Sequence, residues 1–277
     1  MKYYLFDVSL RDGLQTIKSE HQSLLNTQHK INIYNFIIQN YSPDFIEIGS
    51  IVSPKFMPIF NDSIHLLDNI QNNSSFILIP SLSKLKQLKS KNCNLSFITS
   101  CSNLFQLKNT NKSIDDTKTE ISKMIDFIIS NKKICNIKLY ISCINHCPIS
   151  GKIDKNIIIN EIFYYYKNHK LITNFCLSDT CGNLSFSVFK EIIDTCLYKY
   201  FIPPKFFSLH LHIDKNNITN IQNIFNYAFD NGIIIFDVSI FNDSGGCSMT
   251  INDSFPNLDY QTFFSLLDKY TSHKIYV

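Results

Sequence analysis

Two histidines lie two residues apart in His210-Leu211-His212, at the end of an aromatic and leucine-rich run. Residues two apart on a β-strand point to the same face. Both imidazoles therefore reach one place, either as ligands of a divalent ion or as satisfied polar groups of a core. On such a strand Phe206, Ser208, His210 and His212 face the inside, and Phe207, Leu209 and Leu211 the outside. Asp12, far away in the chain, offers a carboxylate. Together with two imidazoles it makes a mixed nitrogen and oxygen set suited to Mg2+, Mn2+ or a similar ion, and this favours the metal over the satisfied pair. Arg11 stands beside Asp12. An Arg-Asp dipeptide is commonly a surface pair, but the following Gly13-Leu14-Gln15 can turn the chain tightly and point both side chains inward. An inward guanidinium stays protonated and can stabilise the oxygen of a developing enolate. Ser244-Gly245-Gly246-Cys247 reads as a hinged loop carrying a thiol acid or nucleophile, or as an exposed loop with an incidental cysteine. Cys143 and Cys147, with no second pair nearby, read as structural thiols.

These residues need a scaffold that brings distant positions together. Strand-like runs occur at Tyr3–Ser9, Phe45–Gly49, Phe76–Pro80, Leu95–Ser100, Asn136–Cys143, Asn174–Ser178, Phe206–His212 and Ile233–Ser239. Helix-compatible stretches separate them, among them Gln22–Asn40, Ile114–Ser130, Phe186–Tyr200, Ile218–Asn231 and Tyr260–Tyr270. Alternation of this kind implies a parallel sheet with right-handed crossovers. Eight units suggest closure into a (β/α)8 TIM barrel, one domain over residues 1–277, with a doubly wound open sheet as the alternative. A barrel of this type works at the C-terminal ends of its strands. Arg11 and Asp12, Glu47, Asp179, His210 and His212, and Cys247 follow or end strand signals one, two, six, seven and eight, so they share one rim. No GxGxxG follows the first strand, which argues against dinucleotide binding.

Composition narrows the classes. The 277 residues are 44% hydrophobic, enough for a full core. A net charge of +3 leaves no footprint for nucleic acid. Apolar stretches such as Gly232 to Ile235 fall far short of the roughly 20 residues of a membrane span. Nine dispersed cysteines without CxxC pairs read as reduced thiols. With no leader pattern before the first strand and no peroxisomal ending, the expected location is cytoplasmic.

At these residues the chain resembles the hydroxymethylglutaryl-CoA lyases, within a wider group of metal-dependent acyl-CoA lyase and synthase barrels. The resemblance rests on Asp7-Val8-Ser9-Leu10-Arg11-Asp12-Gly13-Leu14-Gln15 and on Ile46-Glu47-Ile48-Gly49-Ser50-Ile51-Val52-Ser53-Pro54-Lys55-Phe56-Met57-Pro58. Further matches, in family order, are Tyr140 to Cys143 with Cys147-Pro148 and Gly151-Lys152-Ile153, Leu177-Ser178-Asp179-Thr180, His210-Leu211-His212, Gly245-Gly246-Cys247 and Pro256-Asn257-Leu258. The resemblance implies a divalent metal, Mg2+ or Mn2+, on Asp12, His210, His212 and Asn257. It implies catalytic roles for Arg11, Asp12, Glu47, Asp179, His210 and Cys247, with Glu47 and Asp179 orienting Arg11 and the metal shell. Gln15, Ser50, Lys55 and Thr180 would bind substrate, Ser50 and Lys55 near the CoA entrance. The implied reaction splits 3-hydroxy-3-methylglutaryl-CoA, or a similar acyl-CoA, into acetyl-CoA and acetoacetate, with the acyl-CoA as partner and a homodimer expected by analogy. Two alternatives stay open: an aldolase or Claisen-type enzyme on a different acid, and a non-catalytic barrel kept as a binding protein.

Overall fold

The computed structural model describes residues 2–17, 19–22, 24–70, 72–88, 93–241 and 255–275. Eight parallel strands close into a barrel. They are β1 (Tyr4–Asp7), β2 (Phe45–Ser50), β3 (Ser75–Leu78), β4 (Asn94–Ser100), β5 (Ile137–Ser142), β6 (Ile172–Ser178), β7 (Phe207–His210) and β8 (Ile235–Val238). Each strand pairs with its neighbours in chain order, and β1 closes the ring on β8 in register from Tyr4–Ile235 to Asp7–Val238. The open-sheet alternative is thereby excluded. Among the described residues no helix is long and apolar enough to cross a membrane.

Period-two alternation explains why every strand is fully or nearly buried yet carries polar residues. In β5, Ile137, Leu139 and Ile141 belong to the large apolar cluster shared with the surrounding helices. The alternate residue Tyr140 instead joins Leu78, Cys176 and Ile98 in a small inner cluster. Phe6, Val8 and Phe76 form a second inner cluster, with the Phe6 and Phe76 rings 4.9 Å apart. The outer face holds the barrel to its helices, each fully buried Leu, Ile or Phe contributing about 1.5–3 kcal/mol. The inner face is free to carry chemistry.

Helix ends follow local capping. The helix Ile114–Ser130 starts where Ser113 and Asp116 form a reciprocal capping box and spans the expected residues. The first long helix starts later than the apolar pattern implies, at Thr27 and not at Gln22, because the Asn26 side chain accepts the His29 amide and fixes the boundary. Phe186–Asp194 gives way to a π-helical turn over Thr195–Lys199, short of Pro203 and Pro204. Phe206 also departs from expectation. It ends a 3-10 turn before β7 and packs on Tyr166 of the outer helix Lys155–Asn168, ring centroids 5.5 Å apart, so the inward alternation begins at Ser208.

Candidate active site

The site begins in the turn after β1. Ser9–Gly13 wind into one π-helical turn, a rare form found disproportionately at functional sites. The amides of Arg11 and Gly13 both donate to the Val8 carbonyl. Asp7 anchors the turn, accepting from the Ser9 amide and hydroxyl and, at 2.8 Å, from the Tyr260 hydroxyl. Burial pushes the Asp7 carboxyl up to about 7. Gly13 has no room for a side chain: a Cβ there would lie 2.6 Å from the Phe241 ring. The turn leaves Arg11 and Asp12, adjacent in sequence, both buried and both facing the barrel mouth.

Arg11 is held on three sides. Nε donates to Glu47 Oε2, Nη1 donates to Asp12 Oδ1, and the guanidinium carbon lies 4.8 Å from the Tyr140 ring centroid. The Tyr140 hydroxyl donates to the same Glu47 oxygen at 3.1 Å. Burial opposes the Arg11 charge, but Glu47 and Asp12 outweigh it and keep the group protonated. Burial likewise opposes the Asp12 charge, and Arg11 then holds that carboxyl down at about 2. Gln15 Nε2 donates to Asp12 Oδ1 at 2.7 Å.

Asp12, His210 and His212 each offer a ligand atom, and these atoms all lie within 4.8 Å of one another. His212 lies just past β7, bridged to Asn257, with the Ile213 amide on the Pro256 carbonyl and the Leu258 amide on the Leu211 carbonyl. That pairing brings Asn257 beside Asp12, where its Nδ2 donates to Asp12 Oδ2 at 2.9 Å. His212 Nδ1 lies 2.6 Å from the Asp179 carbonyl oxygen. A carbonyl only accepts, so Nδ1 carries the hydrogen and Nε2 the lone pair. Burial keeps the His212 imidazole neutral, its pKa down at about 4. Two buried atoms of this group, His212 Nε2 and Asn257 Oδ1, have no hydrogen-bond partner. Leaving such atoms unsatisfied costs about 1–3 kcal/mol each, and a divalent cation would satisfy both. Two imidazoles, a carboxylate and an amide oxygen are a donor set that fits such an ion.

Asp179 orients His212 through its main-chain carbonyl. Its carboxylate points elsewhere, accepting the amides of Asn183 and Leu184, and burial lifts it to about 6. Thr180 accepts the Cys143 amide and lines the same chamber as Asp12, His210 and His212. That chamber, about 100 Å3, opens past Arg11, Gln15, Ile98 and Asn109 into a cleft of about 720 Å3. Ser50 lines the cleft; Lys55 is exposed and does not. Lys84, Lys108 and Lys112 stand in its wall instead, with Lys112 paired to Glu120 at 3.2 Å. Cys247 lies outside the described residues. Cys143 and Cys147 are buried, and the Cys147 sulfur accepts the amides of Ile149 and Ser150.

Sequence reasoning did not single out Lys138 or Asp237. Asp237 Oδ2 lies 3.1 Å from His210 Nδ1, and Asp237 Oδ1 accepts from Lys138 Nζ at 2.5 Å, all inside the barrel. Burial opposes the Asp237 charge, but Lys138 and His210 hold its carboxyl below the usual range. The signal was present: Lys138 alternates with Ile137 and Leu139 in an otherwise apolar run.

No family model matches the chain. It is 27% identical over 216 residues to the mitochondrial hydroxymethylglutaryl-CoA lyase of Macaca fascicularis, covering 75% of this chain and 62% of that protein. The chain thus spans less than two thirds of that relative's length. A Pseudomonas aeruginosa protein named 3-hydroxy-3-isohexenylglutaryl-CoA/hydroxy-methylglutaryl-CoA lyase is 25% identical over 252 residues, covering 89% of this chain and 78% of its own. Among solved structures, hydroxymethylglutaryl-CoA lyase from Pseudomonas aeruginosa superposes with a TM-score of 0.82 at 24% identity, over 97% of this chain and 85% of that one. An Acinetobacter baumannii lyase of the same name, solved with coenzyme A and 3-methylmalate, gives 0.79 at 24%, over 96% and 83%. The structural likeness bears on the fold. Over most of its length the chain is thus similar in sequence to proteins named hydroxymethylglutaryl-CoA lyase, and it shares their barrel fold.

Proposed function

We propose that the chain is a metal-dependent carbon–carbon lyase that cleaves 3-hydroxy-3-methylglutaryl-CoA, or a closely similar acyl-CoA, to acetyl-CoA and acetoacetate. The observation that carries this reading is a buried, charged Arg11 beside two unpartnered lone-pair atoms, His212 Nε2 and Asn257 Oδ1. Asp12, His210, His212 and Asn257 would hold the ion, Mg2+ or Mn2+. When bound, it supplies a Lewis acid that acidifies the substrate's tertiary hydroxyl.

The chain's own residues do the rest. Arg11, clamped by Glu47 and stacked on Tyr140, would neutralise the enolate oxygen that appears when the bond breaks. Glu47 is therefore a positioning residue for Arg11, and Asp179 one for His212 through its carbonyl. Asp12 or His210 would take the hydroxyl proton on leaving the ion, and Cys247 is the expected donor to the carbanion. Gln15 and Thr180 line the chamber where the acyl group would sit. Beyond them, Ser50 and the lysines of the cleft suit an anionic, elongated thioester carrier such as CoA, which the Acinetobacter baumannii protein holds.

The test is acetyl-CoA release by purified protein loaded with Mg2+ or Mn2+. Release that needs the ion and falls about 100- to 1,000-fold in Arg11→Gln supports the reading. A metal-loaded protein that releases no acetyl-CoA from any 3-hydroxy-3-methyl acyl-CoA refutes it. Turnover of 2-oxo acids in the same substrate panel would select the aldolase alternative.

A further inference from the structure

Beneath the metal-ligating groups the barrel interior holds a charged pair where a barrel of this type usually stacks branched apolar side chains. Lys138 and Asp237 are 1% and 2% exposed. Taking both charges out of water is expensive, and a well-packed apolar pair in their place is often neutral or more stable. Stability is thus a poor reason for this pair to sit on the axis of the barrel. Its geometry offers another. One oxygen of Asp237 takes the Lys138 ammonium, which also lies 3.3 Å from the Phe6 ring centroid. The other oxygen faces His210 Nδ1 at 3.1 Å. An ionised carboxylate only accepts, so Nδ1 carries the hydrogen. His210 Nε2, 3.8 Å from Asp12 Oδ2 on the opposite side of the ring, is then left with its lone pair toward the ligand group.

We propose that Asp237, backed by Lys138, is a positioning pair that fixes the tautomer and aim of His210 so that Nε2 presents a lone pair to the divalent ion. The ion itself rests on the function proposed above; the tautomer does not. Imidazole ligands generally donate their second nitrogen to an outer acceptor in this way. His212 leans on a main-chain carbonyl, whereas His210 leans on a side chain whose orientation a second side chain controls.

That dependence yields a test with a built-in reversal. In Asp237→Asn the Lys138 ammonium draws the amide oxygen to itself and turns the amide NH2 toward His210. Nδ1 must then accept, the hydrogen moves to Nε2, and the lone pair facing the ion is lost. In the double variant Asp237→Asn with Lys138→Met nothing holds the amide oxygen, which turns back and accepts from Nδ1. This second variant contains no buried charge at either position, so it also guards against misfolding of the first.

Two readouts apply to the full chain. Nitrogen-15 NMR of labelled histidines, assigned by a His210→Gln variant, reports the His210 tautomer in metal-free protein. Titration with Mn2+ reports ion affinity. The expected results are an Nδ1–H tautomer in the parent, an Nε2–H tautomer with roughly 10- to 100-fold weaker Mn2+ binding in Asp237→Asn, and return of both towards the parent in the double variant. An unchanged tautomer in Asp237→Asn overturns the proposal, as does a double variant that fails to revert. A parent protein that binds no Mn2+ sinks the metal reading alone, and the tautomer comparison still decides the role of Asp237.

Discussion

The Asp12–His210–His212 cluster and the neighbouring cleft share one rim but are built differently. Asp12, His210 and His212 stand at or just past strand ends, Asn257 is bridged to His212, and each of these side chains is 2–5% exposed and tied to a second group. The cleft is walled mostly by loops and helices, joined by Ser50, Leu78 and Ile98 of the strands, with Phe56 85% exposed at its edge. A barrel strand fixes both the position and the face of a side chain, whereas a loop fixes neither. Substitutions at the strand ends should therefore abolish a function, and substitutions in the cleft should tune one.

The largest effect expected is at His212. Its Nε2 has no partner and its Nδ1 is locked on a carbonyl, so His212→Ala removes a preset ligand atom. Mn2+ affinity should fall by more than the roughly 100-fold upper range for loss of an outer partner. The rise in melting temperature that a native-state ligand must give should vanish with it. Thermal melts with and without Mn2+ measure this, and an undiminished shift in the variant would remove His212 from the ligand set.

Next comes the turn that aims Arg11 and Asp12. A methyl group at Gly13 would press on Phe241 at 2.6 Å and on the Ser239 hydroxyl at 3.2 Å. Gly13→Ala should cost about 1–3 kcal/mol, the range for overpacking, and lower acetyl-CoA release more than it lowers stability. Chemical denaturation beside turnover separates the two. Equal losses would mean that the turn is only structural.

These two predictions act on features that sequence reading reached, and the reason is physical. The period of two made the shared face of His210 and His212 readable, and the rule that barrels work at strand C-termini collected Arg11, Asp12 and Glu47 on one rim. Apolar runs located all eight strands, since each buries an outer face against helices. Two things were not legible. Lys138 and Asp237 obey the same alternation, but a lone charge in a strand does not reveal its partner, and theirs lies 99 positions away. Lys55 belongs to a motif whose loop has no fixed period, so the motif does not fix where its side chain points. Its neighbours Ser53 and Phe56 line the cleft while Lys55 points out, and Lys84, Lys108 and Lys112 arrive from other elements.

Cleft residues should give smaller, graded effects. Lys84→Glu with Lys108→Glu should raise KM for acyl-CoA several-fold, with kcat little changed, because charge at a rim mainly governs encounter and ground-state binding. The KM difference between parent and variant should shrink as ionic strength rises and the Debye length shortens to about 8 Å or less. A fall in kcat with KM constant would place these lysines in the chemistry and break the contrast between rim and cleft.

The anchor beneath the turn should act on stability alone, and only as pH changes. Burial raises the Asp7 carboxyl from 3.8 to about 7 in the folded chain. Between those values the folded state holds a proton that the unfolded state has released. The linkage relation then makes stability fall as pH rises from about 4 to about 7, and leaves it flat with respect to this group below and above that window. The limiting slope for one proton is about 1.4 kcal/mol per pH unit. Asn at position 7 cannot ionise, so the difference in unfolding free energy between parent and Asp7→Asn should drift in favour of the variant across that window. Urea melts at pH 5, 6 and 7 give the difference directly. A difference that stays flat from pH 5 to pH 7 would mean that Asp7 is ionised in the fold, held so by the Ser9 and Tyr260 donors against the cost of its burial.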